Sequence, residues 1–161
     1  MQINYYITFV AALVPMLTGF IWYNPKVFGN AWMKSINMSP ENMKGGNMAI
    51  TLGLAYLMSV LLAVSLVSVV IHQASLLSVF DGDKTQESAA YIKNFFETYG
   101  GRFRTFKHGS LHGVISGLFI ALPILGINAL FERRGFTYVA IHTGYWMLTL
   151  GIMGGILCQF A

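Results

Sequence analysis

Residues 45–80 read GGNMAITLGLAYLMSVLLAVSLVSVVIHQASLLSVF, a tract of 36 residues without Asp, Glu, Lys or Arg. About 20 consecutive apolar residues already form a helix long enough to cross the hydrocarbon core of a bilayer. The tract therefore predicts a transmembrane helix over residues 48–72. This stretch decides the fold class, because the rest of the chain follows the same pattern.

The composition extends this prediction to the whole chain. Of its 161 residues, 55% are apolar and only 10% are charged, whereas a soluble domain carries about 25% charged residues. All the charged residues lie in three short segments, 26–44, 81–107 and 132–134. The uncharged tracts predict an all-α integral membrane bundle, a single domain over residues 1–161, with four transmembrane helices at 3–23, 48–72, 109–131 and 136–160.

The loops between these spans carry further signals. In the middle loop an amphipathic helix is expected over residues 84–99, lying on the membrane, with Asp83 capping its start and Gln86 three residues later. Its apolar residues share one face: Ile92, Phe95, Phe96 and Tyr99. In the first loop, Asn24-Pro25 is expected to end the first helix at the membrane interface.

Four spans place both termini and the middle loop on one side of the membrane, side A, and the first and third loops on the other, side B. The two sides carry equal numbers of Lys and Arg, so the positive-inside rule does not separate them. Lys26 and Lys34, which follow the first helix, favour a cytoplasmic side B. Basic residues beside apolar helices fit lipid headgroups, so the lipid bilayer is an expected partner and nucleic acid is not.

Small residues mark the helix-packing faces. A stripe with a spacing of four runs along the third span and permits close approach of another helix: Gly109, Gly113, Gly117 and Ala121. The fourth span has a second stripe, with His142, Tyr145 and Thr149 nearly opposite: Ala140, Gly144, Gly151, Gly155 and Cys158. We expect the fourth span to contact two partners. One is the third span, and the other is either within the chain, in a second subunit, or a solute path.

One polar cluster is expected on side A. His108 and His112 lie one turn apart on the third span, His72 ends the second, and Cys158 lies near the end of the fourth. Histidines at i and i+4 with a third ligand match a transition-metal site. Solvated or hydrogen-bonded histidines and a pH-sensing group are alternatives. No cofactor is expected unless the transition-metal interpretation holds.

A second polar cluster is expected inside the membrane toward side B, and we assign it to these residues: Asn128, Glu132, His142, Tyr145 and Thr149. His142 lies about 9 Å inside the fourth span, so it needs a hydrogen-bonding partner. Asn128, Glu132 and Thr18 are candidates by depth. A neutral histidine bonded to a backbone carbonyl or a hydroxyl is the structural alternative.

Two segments resemble a known family. They are GFIWYNPKVFGNAWM at residues 19–33, and residues 108–132 followed by AIHTGYW at 140–146 and MGG at 153–155. The chain is similar here to the bacterial membrane proteins of the domain of unknown function 1761. The resemblance implies a four-helix, multi-pass protein of the bacterial cytoplasmic membrane. It implies no reaction, substrate or cofactor, and so assigns no functional residue.

Two functions are compatible with these features. The first is a homo-oligomeric, channel-like or carrier-like protein for a small solute or ion. The alternative is a structural or regulatory partner subunit of a membrane complex, without transport or catalysis. The chain has no nucleophile elbow, no phosphate-binding glycine loop and no His-Glu-x-x-His motif, so nothing in it favours an enzyme.

Overall fold

A computed structural model describes residues 3–39 and 47–161, and all regular structure in these two ranges is helical. Two short segments are π-helical, a turn at Pro25–Gly29 and a segment at Gly117–Ala121. The α-helices are α1 (Tyr6–Ala11), α2 (Val14–Trp22), α3 (Asn30–Ser35), α4 (Met48–Val70), α5 (His72–Val79), α6 (Gln86–Tyr99), α7 (Phe106–Ser116), α8 (Leu122–Phe131) and α9 (Phe136–Phe160).

Three helical stretches among the described residues are long and apolar enough to cross a membrane. Their mean hydropathies are 2.3, 2.2 and 1.3, in the order α4, α7 to α8, and α9. The bent pair Tyr6–Trp22 and Pro25–Ser35 meets the same requirement only when its two arms are taken together, across a bend of 55°. The all-helical expectation is confirmed. The number of candidate spans is three, or four if the bent pair counts as one.

The helix boundaries follow local sequence signals. Helix α2 ends at Trp22, and two residues later Asn24 caps the π-helical turn by accepting a hydrogen bond from the Lys26 N–H at 2.9 Å. The second span ends at Val70, because Ile71 leaves the helical conformation (φ −110°, ψ 89°). The third begins at Phe106, three residues earlier than expected. Residues 45 and 46 of the opening tract lie outside the described ranges.

The middle-loop helix α6 begins two residues later than expected, at Gln86. Thr85 is its N-cap, and its hydroxyl accepts from the Ser88 N–H at 3.3 Å. Asp83 supports this cap from outside, because its carboxylate accepts from the Ser88 hydroxyl at 2.5 Å and from the Thr85 N–H at 2.9 Å. These hydrogen bonds, the one from Ser88 first, lower the pKa of the Asp83 carboxyl. None of the residues of α6 is buried.

Helix α9 forms the centre of the bundle. In an apolar stretch of 18 residues taken from each candidate span, 61% of α9 is buried, against 22% of α4 and 17% of the third span. The hydrophobic core lies toward side A, where the last turns of α4 meet α9, through residues such as Leu66, Val70, Met153 and Leu157. The first half of α4 is exposed, so α4 joins the bundle mainly through its C-terminal half.

The glycine stripe of the third span is the contact with α9. A Cβ on Gly113 would lie 1.9 Å from the Leu150 carbonyl oxygen, and one on Gly109 would lie 2.1 Å from the Gly154 oxygen. From the opposite side, a Cβ on Gly155 would lie 2.6 Å from the Phe106 ring. The two backbones are therefore closer than any larger side chain permits. Gly154 also belongs to this contact, although it lies outside the predicted stripes of small residues.

Both faces of α9 have partners within the chain. Gly151 and Gly155 face α7, whereas a Cβ on Gly144 would lie 2.9 Å from the Trp22 ring of α2. Thr149 is fully buried and shares a hydrogen bond of 2.7 Å with Thr18 of α2. The two small-residue stripes thus serve internal packing.

The α7–α9 contact leads to a stability prediction. We expect Gly113→Ala to lower the stability of the detergent-solubilised protein by about 1–3 kcal/mol, because the added methyl group meets backbone atoms that cannot move aside independently. The measurement is the midpoint of thermal unfolding. Gly126→Ala in α8 is the matched control, because a Cβ there has no atom within 4 Å. Equal midpoints for the two variants would contradict the prediction.

Candidate functional site

Three histidines from two helices meet at the side A end of the bundle. His72 is the first residue of α5, and His108 and His112 lie one turn apart on α7. The His72 Nε2 atom is 3.2 Å from the Nε2 of His112 and 3.4 Å from the Nε2 of His108. Each of the three offers a ring nitrogen within 4.8 Å of the other two. We call these residues the histidine cluster.

The two nitrogen–nitrogen distances at His72 match the spacing of ligands around a tetrahedral metal ion. With Zn–N bonds of about 2.0–2.1 Å, neighbouring ligand nitrogens are separated by about 3.3 Å. The distances from the His72 Nε2 to the Nε2 atoms of His112 and His108, 3.2 and 3.4 Å, lie on either side of this value. Hydrogen bonding alone satisfies the cluster less well, because a neutral ring nitrogen carries either one N–H or one lone pair. His72 Nε2 can therefore pair with only one of its two neighbours.

Backbone packing sets the direction of the two histidines on α7. Gly109 and Gly113 directly follow His108 and His112, and these glycines lie against the α9 backbone. Consecutive residues on a helix are about 100° apart around its axis. The histidines are therefore turned away from α9 toward the side where α4 and α5 lie. Thr105 fixes the start of α7, because its hydroxyl accepts from the His108 N–H at 3.2 Å.

The break after α4 brings His72 to the same place. At Ile71, which is fully buried, the chain leaves the α4 helix and restarts as α5 with His72 as its first residue. His72 is exposed, and His108 and His112 are partly buried. The cluster therefore has one side within the bundle and one side open to solvent.

The loop before α7 supports His108. Phe103 stacks on the His108 ring, with centroids 5.1 Å apart and an interplanar angle of 19°. Phe103 has a φ of +62°, a left-handed conformation that costs a non-glycine residue free energy. Gln73 holds this loop by donating to the carbonyl oxygens of Tyr99 at 3.1 Å and Arg102 at 2.6 Å. Neither role is predictable from the sequence, because glutamine and phenylalanine are common residue types that do not by themselves indicate a loop support or a ring stacked on a histidine.

Cys158 lies at the same end, yet it is not part of the histidine cluster. Its side chain is fully buried, and its Sγ lies 3.3 Å from the carbonyl oxygens of both Val70 and Phe103, which share its one S–H donor. The Val70 carbonyl is available because α4 stops there. Cys158 thus ties α9 both to the helix break before His72 and to the loop that stacks on His108.

The next residue of the loop is also held by the end of α9. The Arg104 guanidinium donates to the Ala161 carbonyl oxygen. Burial lowers the pKa of this guanidinium. Phe103 and Arg104, which are adjacent in the chain, are therefore both attached to the C-terminal end of α9.

The structure divides the five residues assigned to the side B cluster. Tyr145 donates to the Pro15 carbonyl oxygen at 2.8 Å, and Thr149 pairs with Thr18. His142 Nδ1 lies 2.8 Å from the Tyr23 hydroxyl, a partner that sequence analysis did not name. These three side chains join α9 to α2 and to Tyr23, the residue that directly follows α2.

The other two residues point elsewhere. Asn128 and Glu132 are exposed, and Glu132 lies 3.7 Å from Arg134 in an ion pair at the surface. They do not contact His142. Among the described residues, His142 Nε2 is one of three buried side-chain polar atoms without a hydrogen-bonding partner. The five residues therefore do not form a single polar group, and only Tyr145, Thr149 and His142 make hydrogen bonds to another helical segment.

The position of Cys158 leads to a second stability prediction. We expect Cys158→Ala to destabilise the protein by about 1 kcal/mol, because the buried Val70 carbonyl and the Phe103 carbonyl lose the thiol donor that they share. Cys158→Ser, which keeps a donor at the same position, is expected to unfold at a higher temperature than the alanine variant. Thermal unfolding in detergent measures both. An alanine variant at least as stable as the serine variant would contradict this role for the thiol.

Comparisons with known proteins agree with the resemblance inferred from the sequence. The search of curated proteins and the search of solved structures each gave no match. The family described as "Protein of unknown function (DUF1761)" matches residues 6–158, which include the whole histidine cluster and the α7–α9 contact. The chain therefore belongs to the DUF1761 family.

Proposed function

We propose that this protein is a multi-pass membrane protein that binds one divalent transition-metal ion through His72, His108 and His112. The single observation that carries the proposal is the convergence of three histidines, whose ring nitrogens lie within 4.8 Å of one another, with the His72 Nε2 at 3.2 and 3.4 Å from the other two Nε2 atoms. The apolar lengths of α4, α7 to α8 and α9 support the membrane location.

The ligand set favours a particular class of ion. Imidazole nitrogens suit zinc, copper, nickel and iron, whereas magnesium and calcium prefer oxygen ligands. Within the described residues, the group that meets at this site consists of histidines alone. Three protein ligands leave one tetrahedral position for an outside ligand, as in zinc sites that exchange water or substrate. The site is therefore suited to an exchangeable or reactive ion more than to a purely structural one.

The position in the membrane follows from the helix ends. His72 follows the end of α4, and His108 is in the first turn of the third span. A metal ion here would sit at the membrane interface on side A, within reach of water. If side B is cytoplasmic, as the basic residues after the first helix favour, the ion faces the opposite compartment. In the bacterial cytoplasmic membrane, that is the periplasmic face.

The solute-path hypothesis receives less support from the geometry. Tyr145 and Thr149 are buried, and their hydroxyls are engaged with Pro15 and Thr18. A transport path through one chain would need these groups to face water. Homo-oligomerisation and a membrane-protein partner stay predictions, and flux into proteoliposomes compared with empty vesicles tests transport independently of metal binding.

The proposal predicts a specific response to histidine substitution. We expect the wild-type protein, purified and stripped of metal, to take up one Zn²⁺ or Co²⁺ per chain. His112→Ala and His108→Ala should each weaken binding by about 100-fold or more, because loss of a direct ligand exceeds the 10–100-fold effect of losing an outer-shell partner. Isothermal titration and elemental analysis measure affinity and stoichiometry.

The fourth histidine supplies the matched control. His142 lies at the opposite end of α9 from the cluster and bonds to Tyr23. His142→Ala should leave the stoichiometry and affinity unchanged. A wild-type protein that binds no stoichiometric metal, or an equal loss in all three alanine variants, would overturn the proposal.

A further inference from the structure

We propose that the metal site takes a carboxylate as its fourth ligand, from a cavity that opens beside His72, with Arg102 as the second contact of that carboxylate. This inference rests on the proposed function. The cavity has a volume of about 330 Å³ and is lined by His72, Gln73, Phe95, Tyr99, Arg102 and Phe103. Ligand pockets begin at about 300 Å³, so it suits a small molecule.

The charge of the cavity favours an anion. Arg102 is the charged side chain among the lining residues, and no Asp or Glu is among them in the described chain. Its guanidinium carbon lies 5.2 Å from the centroid of the Phe103 ring and 5.9 Å from that of Tyr99. Such contacts hold the guanidinium beside aromatic surface. A planar guanidinium matches the two oxygens of a carboxylate better than a point charge does.

The walls favour an apolar group attached to that carboxylate. Phe95, Tyr99 and Phe103 line the cavity, and the Phe95 and Tyr99 rings lie 5.4 Å apart. A purely inorganic anion would leave this aromatic surface without a partner. The shared chemistry is a carboxylate on an apolar body, which both a soluble aromatic acid and a fatty acid from the bilayer provide.

The cavity wall is attached to the metal site. The buried Gln73 side chain donates to the carbonyl oxygens of Tyr99 and Arg102, and Gln73 directly follows His72. Phe103, which forms another wall, stacks on His108. The lining residues are thus held in a defined position relative to two of the three histidines. Because His72 belongs both to the histidine cluster and to the cavity lining, a ligand in the cavity would lie beside an ion held by the cluster.

Cobalt spectroscopy tests the inference, because the visible absorption of Co²⁺ reports both its coordination and a change of its fourth ligand. The wild-type protein loaded with Co²⁺ is titrated with benzoate, and with neutral benzamide as the matched control. We expect a saturable change of the cobalt spectrum with benzoate and none with benzamide. Laurate in place of benzoate identifies the source, since tighter binding of laurate assigns the carboxylate to a fatty acid.

Two arginine variants and one control assign the second contact. Arg102→Gln should weaken the benzoate effect at least 10-fold, and Arg102→Lys should give an intermediate loss, because charge is kept without the planar fork. Lys107→Gln removes an exposed positive charge that does not line the cavity, and it should keep the wild-type response. Each variant must first show the wild-type cobalt spectrum without benzoate, which verifies an intact site.

The outcomes separate the two proposals. A normal cobalt spectrum that benzoate leaves unchanged overturns the carboxylate inference and leaves the metal site standing. An equal loss in Arg102→Gln and Lys107→Gln overturns the role of Arg102, because it shows only a general effect of charge. Failure of the wild-type protein to bind Co²⁺ overturns the proposed function and this inference with it.

Discussion

The close approach of α7 and α9 is the constraint on which the rest of the structure depends. Gly109 and Gly113 bring the α7 backbone against the carbonyl groups of Gly154 and Leu150, at distances where no Cβ fits. Apolar helices in lipid gain little from hydrophobic burial against each other, so such contacts depend on shape and van der Waals packing. Glycine has no side chain, so it gives the helix a smooth surface and lets the two backbones pack in van der Waals contact. Helix α9 is therefore the buried centre around which the other helices are arranged.

This contact also determines the direction of the histidines. Because each glycine follows its histidine by one residue, seating Gly109 and Gly113 on α9 turns His108 and His112 toward the α4–α5 side. The break at Ile71 then decides whether a third ligand arrives. Cys158 stabilises this break by donating to the Val70 carbonyl, which an uninterrupted α4 would have engaged in its own helix. Packing residues and site residues are therefore neighbours along the chain as well as in space.

The two ends of the bundle use polar side chains in different ways. At side B, Tyr145, Thr149 and His142 each bond to a specific group of the first helical region, so their polarity is used to join helices. At side A, three imidazoles face one another, and hydrogen bonds between the rings cannot pair the His72 Nε2 with both of its neighbours at once. This difference makes the side A cluster the better candidate for binding an ion, although sequence analysis treated both clusters as open hypotheses.

The sequence by itself determined the helical class, the tracts long enough to span a membrane, the stop at Asn24-Pro25 and the glycine face of the third span. These depend on local composition and spacing, which do not require knowledge of distant contacts. It also placed His108 and His112 on one helical face. Only the tertiary structure decided that His72 reaches them, that Cys158 bonds to backbone carbonyls, and that Asn128 and Glu132 face outward. Those outcomes depend on a helix break and on the rotation of each helix about its axis, and both are set by packing between residues far apart in the chain.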